Sequence, residues 1–352
     1  MKRDAKDFLR SLLDTPSASG FEQPVQDLVR QRVKDHCDEV RTDVNGNVIA
    51  SLNSQAPFRL MLDGHADEIG LLISHIDEKG FLYFRSLGGV NAALTQGERV
   101  TVHSDSGDVP GVIGAKPIHL IDPGMRGKPE KLEKQWIDIG AKDRKDAEKA
   151  VSIGDSVTFN TRMVELRNGL ATSRAMDNRV GVFCVVEALR AVEGKEVQVA
   201  LHVVSSVQEE LGLRGAKLSA FGIDPHAGIA VDVGFASDYP DIDKKMVGET
   251  ECGKGPCLTR GPSFSRRFCR LIEDVAKKKR LPYQVQAEAP RGGTDGHAIQ
   301  LNRAGVAAAL LSIPNRYMHS PAEICALDDL DNAVKLLAAV IQEMKPDMDF
   351  TP

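Results

Sequence analysis

The chain has 352 residues, 42% of them hydrophobic, and a formal net charge of -5 with both signs interspersed. That is enough apolar material for a large core and more than one domain, and a mildly acidic chain with no basic stripe excludes nucleic acid as the main partner. No apolar run approaches the roughly 18 to 20 residues that span a bilayer, no signal-peptide core follows Met1, and six scattered cysteines without a C-x-x-C pair point to reduced thiols and a cytoplasmic address.

In chain order, Phe8, Leu9, Leu12 and Leu13 mark one helix, and Val25, Leu28, Val29 and Val33 mark a second. "DEVRTDVNGNVIASL" then reads as a hairpin turning at Asn45-Gly46, because that dipeptide tolerates the positive φ angles of a tight turn. "FRLMLDGHADEIG" is a strand ending near Gly64. From about Glu68 to Val164 the texture changes: short β-like pieces ("GFLYFRSL", "ERVTVHS", "GDSVTF") alternate with Gly and Asp turns, as in a small β-rich domain inserted into a larger one. The charged stretch "MRGKPEKLEKQ" within it reads as solvated.

After "NGLATSRAMDN" an α/β rhythm takes over. A helix carries Val180, Phe183, Val186 and Leu189; a buried strand runs from Val197 to Val204; a short helix and the strand "AGIAVDVG" follow. The amphipathic helix "SFSRRFCRLIEDVAKKKR", the strands "YQVQAEA" and "VAAALLSIP" and the helix "LDNAVKLLAAVIQEMK" complete it. Strands alternating with helices imply a mainly parallel sheet sandwiched by helices, and such sheets bind ligands beyond the carboxyl ends of their strands.

Those ends share one chemistry. His65 and Asp67 close the first strand, Asp177 opens a helix, Glu209 and Glu210 follow a buried strand, Asp232 ends "GIAVDVG", and His319 lies just past another strand. Each has a plainer reading alone: Asp177 as an N-cap, Asp232 as a turn residue, His319 as an exposed loop residue, His65 and Asp67 as a surface pair. The doubled glutamate resists this, because an unpaired carboxylate at the end of a buried strand is costly. Neighbours on an extended chain also point to opposite faces, so Glu209 and Glu210 should have different tasks. Two histidines with several carboxylates, and no cysteine among them, suit zinc, cobalt or manganese. Two such ions about 3.5 to 4 Å apart need a bridging carboxylate, and sites of that kind assist hydrolysis. There is no H-E-x-x-H, G-x-S-x-G or P-loop, "GKGPCL" lacks the third glycine of a dinucleotide fingerprint, and Cys184 lies mid-helix as a packing residue.

Taken together, "HADEIG", "RAMDNRVG", "VQEELGLRGA", "AVDVG", "GKGP", "GGTDGHAIQ" and "YMHSPAE" resemble, in order, the tetrahedral (TET-type) dinuclear metalloaminopeptidases. That family includes glutamyl and deblocking aminopeptidases, often labelled endoglucanase or cellulase. The resemblance implies a zinc-peptidase-like α/β domain from residues 1–67 and 165–352, with a small barrel-like oligomerisation domain at 68–164. It implies two divalent ions, one on His65 and Asp232, the other on Glu210 and His319, with Asp177 bridging. Glu209 would be the general base and Asp67 would orient His65. Peptides with a free N-terminus would be the substrates and a homo-oligomer, dimers building a dodecamer, the assembly; no nucleic acid or membrane partner is implied. His297 near "GGTDGHA" reads as packed or exposed rather than as a ligand. A carboxypeptidase or deacylase on a similar core is the alternative, with Arg291 or Arg316 to clamp a carboxylate. Endoglucanase chemistry would need two carboxyls about 5 to 9.5 Å apart flanking a sugar, and sugar sites favour aromatic platforms; this chain has one Trp and four Tyr.

Overall fold

The computed structural model describes residues 1–125, 127–288 and 293–352; Arg291 lies outside them. The first apolar stripe forms α1 (Arg3–Asp14), and the second forms α2 (Gln23–Val33), where Pro24 in the first turn presets the helical φ. The hairpin pairs β1 (Glu39–Thr42) with β2 (Val48–Leu52). Its turn is held by the Asp43 carboxylate, which accepts from the N–H groups of Asn45, Gly46 and Asn47. Strand β3 (Arg59–His65) follows and carries the chain into the β-rich segment.

There, β4 (Gly70–Ile76), β5 (Leu82–Leu87), β6 (Arg99–Ser104), β7 (Gly107–Ile113), β8 (Ile137–Asp138) and β9 (Ser156–Phe159) close into an antiparallel barrel in the order β4-β5-β8-β7-β6-β9. A short helix, α3 (Arg144–Ala147), lies between β8 and β9. The barrel has its own core, built on Leu71, Ile73, Phe84, Val100, Val102, Ile113 and Val157. Inward positions alternate with outward ones along these short strands, which is why the sequence shows period 2 and no helical periodicity here.

The chain returns through β10 (Val164–Glu165) and β11 (Leu170–Ser173). It continues with α4 (Met176–Ala191), β12 (Ala200–Ser206), α5 (Arg214–Ile223), β13 (Ala227–Phe235), α6 (Lys244–Val247), β14 (Cys257–Arg260) and α7 (Arg266–Lys279). Strand β15 (Gln284–Ala287), α8 (Asp295–Gln300), β16 (Ala307–Asn315), β17 (Glu323–Ala326) and α9 (Leu327–Glu343) complete it. The main sheet runs β1-β2-β12-β3-β13-β16-β14-β15, and its middle four strands, β12, β3, β13 and β16, are mutually parallel. Helices cover both faces. A Cβ on Gly64 would strike the α4 backbone at Gly181, whereas one on Gly228 would strike Ile299 of α8. Registers pair Asp63 with Ala230, so two residues further on His65 and Asp232 emerge on the same face of adjacent strands.

Two local expectations change. The strand before the paired glutamates stops at Ser206, so Glu209 and Glu210 lie on a turn rather than on extended chain. The reversal occurs at Gln208, which has φ +54°, and the Gly212 and Leu213 N–H groups then close back onto the Glu209 carbonyl. Asp177 is not the helix cap. Asn178, the next residue, accepts the Gly181 N–H through Oδ1 and donates from Nδ2 to the Val231 carbonyl, which leaves the Asp177 carboxylate free. Glu68 stitches the barrel's exit and return together: it accepts from Arg174 at 2.6 Å and from the fully buried Arg179 at 3.1 Å. All six cysteines are free, and no helix among the described residues is long and apolar enough to cross a membrane.

Candidate active site

The seven side chains singled out from the sequence converge beyond the carboxyl ends of the parallel strands. His65, from β3, directs Nε2 at Asp177 Oδ1 (3.2 Å) and Asp232 Oδ1 (3.7 Å), with Glu209 Oε2 at 3.9 Å. His319, past β16, directs Nε2 at Asp177 Oδ2 (3.4 Å) and Glu210 Oε1 (3.3 Å). The two oxygens of Asp177 thus face different histidines. Two groups of donor atoms result, His65, Glu209 and Asp232 in one and Asp177, Glu210 and His319 in the other, each within 4.8 Å internally. All donors are imidazole nitrogens or carboxylate oxygens, a set that fits borderline divalent cations.

Asp67 works behind this surface. Its Oδ1 lies 3.4 Å from His65 Nδ1 and accepts the Glu209 N–H at 3.0 Å, while Oδ2 accepts the Glu210 N–H at 3.1 Å and the Ser19 hydroxyl. The Asp67 carbonyl also meets His65 Nδ1, at 3.2 Å, and its buried carboxylate clamps the turn that carries both glutamates. That clamp, rather than strand pleating, sends the two glutamate side chains to different histidines.

So many carboxylates in one buried space shift each other. Burial pushes the Glu209 carboxyl up to about 10. Burial likewise raises Glu210 and Asp232. Burial alone would raise Asp177 too, but His319 and His65 hold it well below the usual carboxylate range. Asp177 and then Glu210 push the His319 imidazole up to about 11.

Several contributors carried no sequence signal of their own. Glu323 is buried, and its two oxygens accept the Asp177 N–H and the His319 N–H, each at 2.9 Å, so it fixes the backbone of both residues at once. It ends the stretch "YMHSPAE", where an acid just before an apolar strand was the available hint. Asp295, from α8, meets Asp63 and Ser206 beneath the site; Ser206 Oγ donates at 2.9 Å to Asp295. The barrel also reaches in: a Cβ on Gly88 would lie 2.7 Å from Glu210 Oε2, and one on Gly89 would lie 2.7 Å from His319 Nδ1. His297 belongs to neither donor group; it packs against Phe264 with Glu288 at 3.7 Å. Arg316 is bound by both nitrogens to Asp238, at 2.8 and 2.7 Å, and is not free to clamp a substrate carboxylate.

An α/β sheet with a barrel inserted after β3 is a fold shared with solved TET aminopeptidases. The TET aminopeptidase of Thaumarchaeota archaeon SCGC AB-539-E09 superposes with a TM-score of 0.93 at 32% identity, over 97% of each chain. The Pyrococcus horikoshii TET1 peptidase, which can assemble into a tetrahedron or a large octahedral shell, gives 0.87 at 30% identity over 97% of this chain and 100% of that one. A lysyl aminopeptidase of Pyrococcus furiosus is 38% identical over 98% of this chain and 99% of its own. The sequence model of the M42 glutamyl aminopeptidase family matches residues 46–336, and the chain belongs to that family.

Proposed function

We propose that the chain is a dinuclear metalloaminopeptidase that removes N-terminal residues from peptides bearing a free α-amine. The observation that supports this most is the Asp177 carboxylate, with one oxygen toward His65 and the other toward His319 at 3.2 and 3.4 Å. His65 and Asp232 would hold one divalent ion (zinc, cobalt or manganese), Glu210 and His319 the second, with Asp177 shared. When bound, the ions supply Lewis acidity and a water of lowered pKa. Glu209 lies at the edge of the first donor group and is the group left to move protons. It takes one from the attacking water and hands it to the leaving amine. Asp67 keeps His65 Nδ1 engaged, so Nε2 remains the ligand nitrogen. The nest of carboxylates gives a protonated or hydrogen-bonding substrate amine a place beside the reacting bond.

Residues 1–67 and 165–352 form the catalytic domain in this reading, and 68–164 the oligomerisation domain of a homo-oligomer, built from dimers into a dodecamer. Ile118, Leu120 and Ile153 are exposed on that insert, apolar surface that self-association would cover. The free cysteines fit a reducing cytoplasm.

Metal analysis paired with aminoacyl-anilide substrates tests the reading. It expects about two ions per chain, loss of activity to chelators, and refusal of N-acetylated substrates. One tight ion with full activity would refute the dinuclear site. Equal turnover of blocked and free substrates would refute the aminopeptidase.

A further inference from the structure

We infer that Glu22 is a positioning residue for Glu209, an inference that rests on Glu209 being the general base. The turn that carries the base is held by four consecutive backbone N–H groups, each taken by a side chain from the first 67 residues. Asn47 Oδ1 accepts from Val207 at 2.9 Å, Glu22 Oε1 from Gln208 at 3.1 Å, Asp67 Oδ1 from Glu209 at 3.0 Å and Asp67 Oδ2 from Glu210 at 3.1 Å.

Glu22 holds the position where the chain reverses. Gln208 sits at φ +54°, a left-handed conformation that a residue with a side chain adopts only when its surroundings impose it. The Gln208 side chain is engaged outward, accepting from Arg214 at 3.0 Å, so its own amide is the tether on the inner side. Glu22 is 5% exposed and its same oxygen takes the Gly20 N–H at 2.7 Å, which anchors it to the loop before α2 rather than to solvent. Asp67 also faces His65, so removing it disturbs a ligand as well as the turn. Glu22 makes no hydrogen bond or ion pair to His65, Asp177, Glu210, Asp232 or His319 among the described contacts, so its loss reaches the site through the Gln208 turn and the Gly20 loop rather than through a ligand. With the tether gone, Gln208 relaxes toward ordinary backbone angles and Glu209 swings off the reacting atoms.

The test uses the full-length, metal-loaded enzyme with a leucyl anilide, comparing Glu22→Leu, which removes the acceptor, with Glu22→Gln, which keeps one. For Glu22→Leu, kcat should fall roughly 10- to 100-fold, the scale of a displacement near 1 Å at a reacting group. KM should stay within about threefold and the metal content should not change, whereas Glu22→Gln should recover most of the rate. In a Glu209→Gln background, Glu22→Leu should add almost nothing, because it acts through the base that is already gone. Should the leucine variant fail to fold, Glu22→Asp keeps the charge, withdraws the oxygens by one methylene and should show an intermediate loss. Wild-type kcat in Glu22→Leu or Glu22→Asp, or an equal further loss in the Glu209→Gln background, overturns the proposal while leaving the base intact. Near-normal turnover in Glu209→Gln alone removes the general-base reading, and this inference with it.

Discussion

Replacing Gly89 with alanine should slow the enzyme through a single methyl group on the barrel. Gly89 is not in the left-handed region, so alanine brings no backbone penalty there. Its Cβ would lie 2.7 Å from His319 Nδ1 and 3.1 Å from Cε1, and since ordinary contact begins near 3.4 Å the ring must retreat by about 0.7 Å. The His319 side chain is 36% exposed, so it has room to move. The movement takes Nε2 away from Glu210 Oε1 and Asp177 Oδ2, now at 3.3 and 3.4 Å. A misplacement near 1 Å costs up to about 100-fold, so kcat/KM should drop roughly 10- to 100-fold, equivalent to about 1.4 to 2.7 kcal/mol in the barrier. Anilide turnover, metal content and thermal unfolding measured together separate this from misfolding: one ion should bind more weakly while the unfolding midpoint barely shifts. Activity within twofold of wild type, with both ions retained, would refute the argument that the barrel edge sets the His319 position.

The two adjacent glutamates should fail differently. Glu210→Gln should lose an ion and recover partly with excess metal, whereas Glu209→Gln should keep both ions and lose roughly 10²- to 10⁴-fold in rate without rescue; the reverse pattern in metal titrations would show their roles exchanged. Ile118→Asp with Leu120→Asp, both on exposed barrel positions, should lower the mass seen by light scattering, and an unchanged mass would move the interface elsewhere. Asp329, in the first turn of α9, accepts the Gly253 and Gly255 N–H groups at 2.7 Å, and burial lifts its carboxyl to about 6. A carboxyl raised in this way favours the fold most below about pH 4, and that contribution is lost as pH rises through about 6. Asp329→Asn should therefore flatten this part of the stability curve by up to about 3 kcal/mol, and thermal unfolding from pH 4 to 8 showing a constant gap to wild type would contradict it.

What the sequence reveals follows from how local each cause is. His65 stands out because β3 ends at it, and a strand's end is a local event; Asp232 and His319 stand out as polar residues within or shortly after the apolar strands β13 and β16. The turn after β12 is not visible in that way: the apolar run stops at Val204, but the reversal at Gln208 is held by Asn47 and Glu22, far away in sequence. Asp and Asn cap helices equally well, so the sequence does not distinguish Asp177 from Asn178 as the cap of α4; the Val231 carbonyl, brought up by β13, engages Asn178. Gly88 and Gly89 approach the site by lacking side chains, so nothing in their chemistry announces them. The α/β rhythm and the β-rich insert were legible throughout, since both rest on periodicity.

The wide spacing of the site along the chain has a consequence for the cell's newly made copies. Its donor groups run from His65 to His319, and the last of them follows β16, a strand in the middle of the sheet. A chain emerging N-terminus first folds progressively, and its barrel can bury a core of its own while the ribosome is still at work. This cluster cannot form until almost the whole polypeptide has been made and the long-range strand pairings have closed. A half-made molecule therefore lacks part of the cluster. Nascent peptides nearby are safe from this enzyme until it is complete.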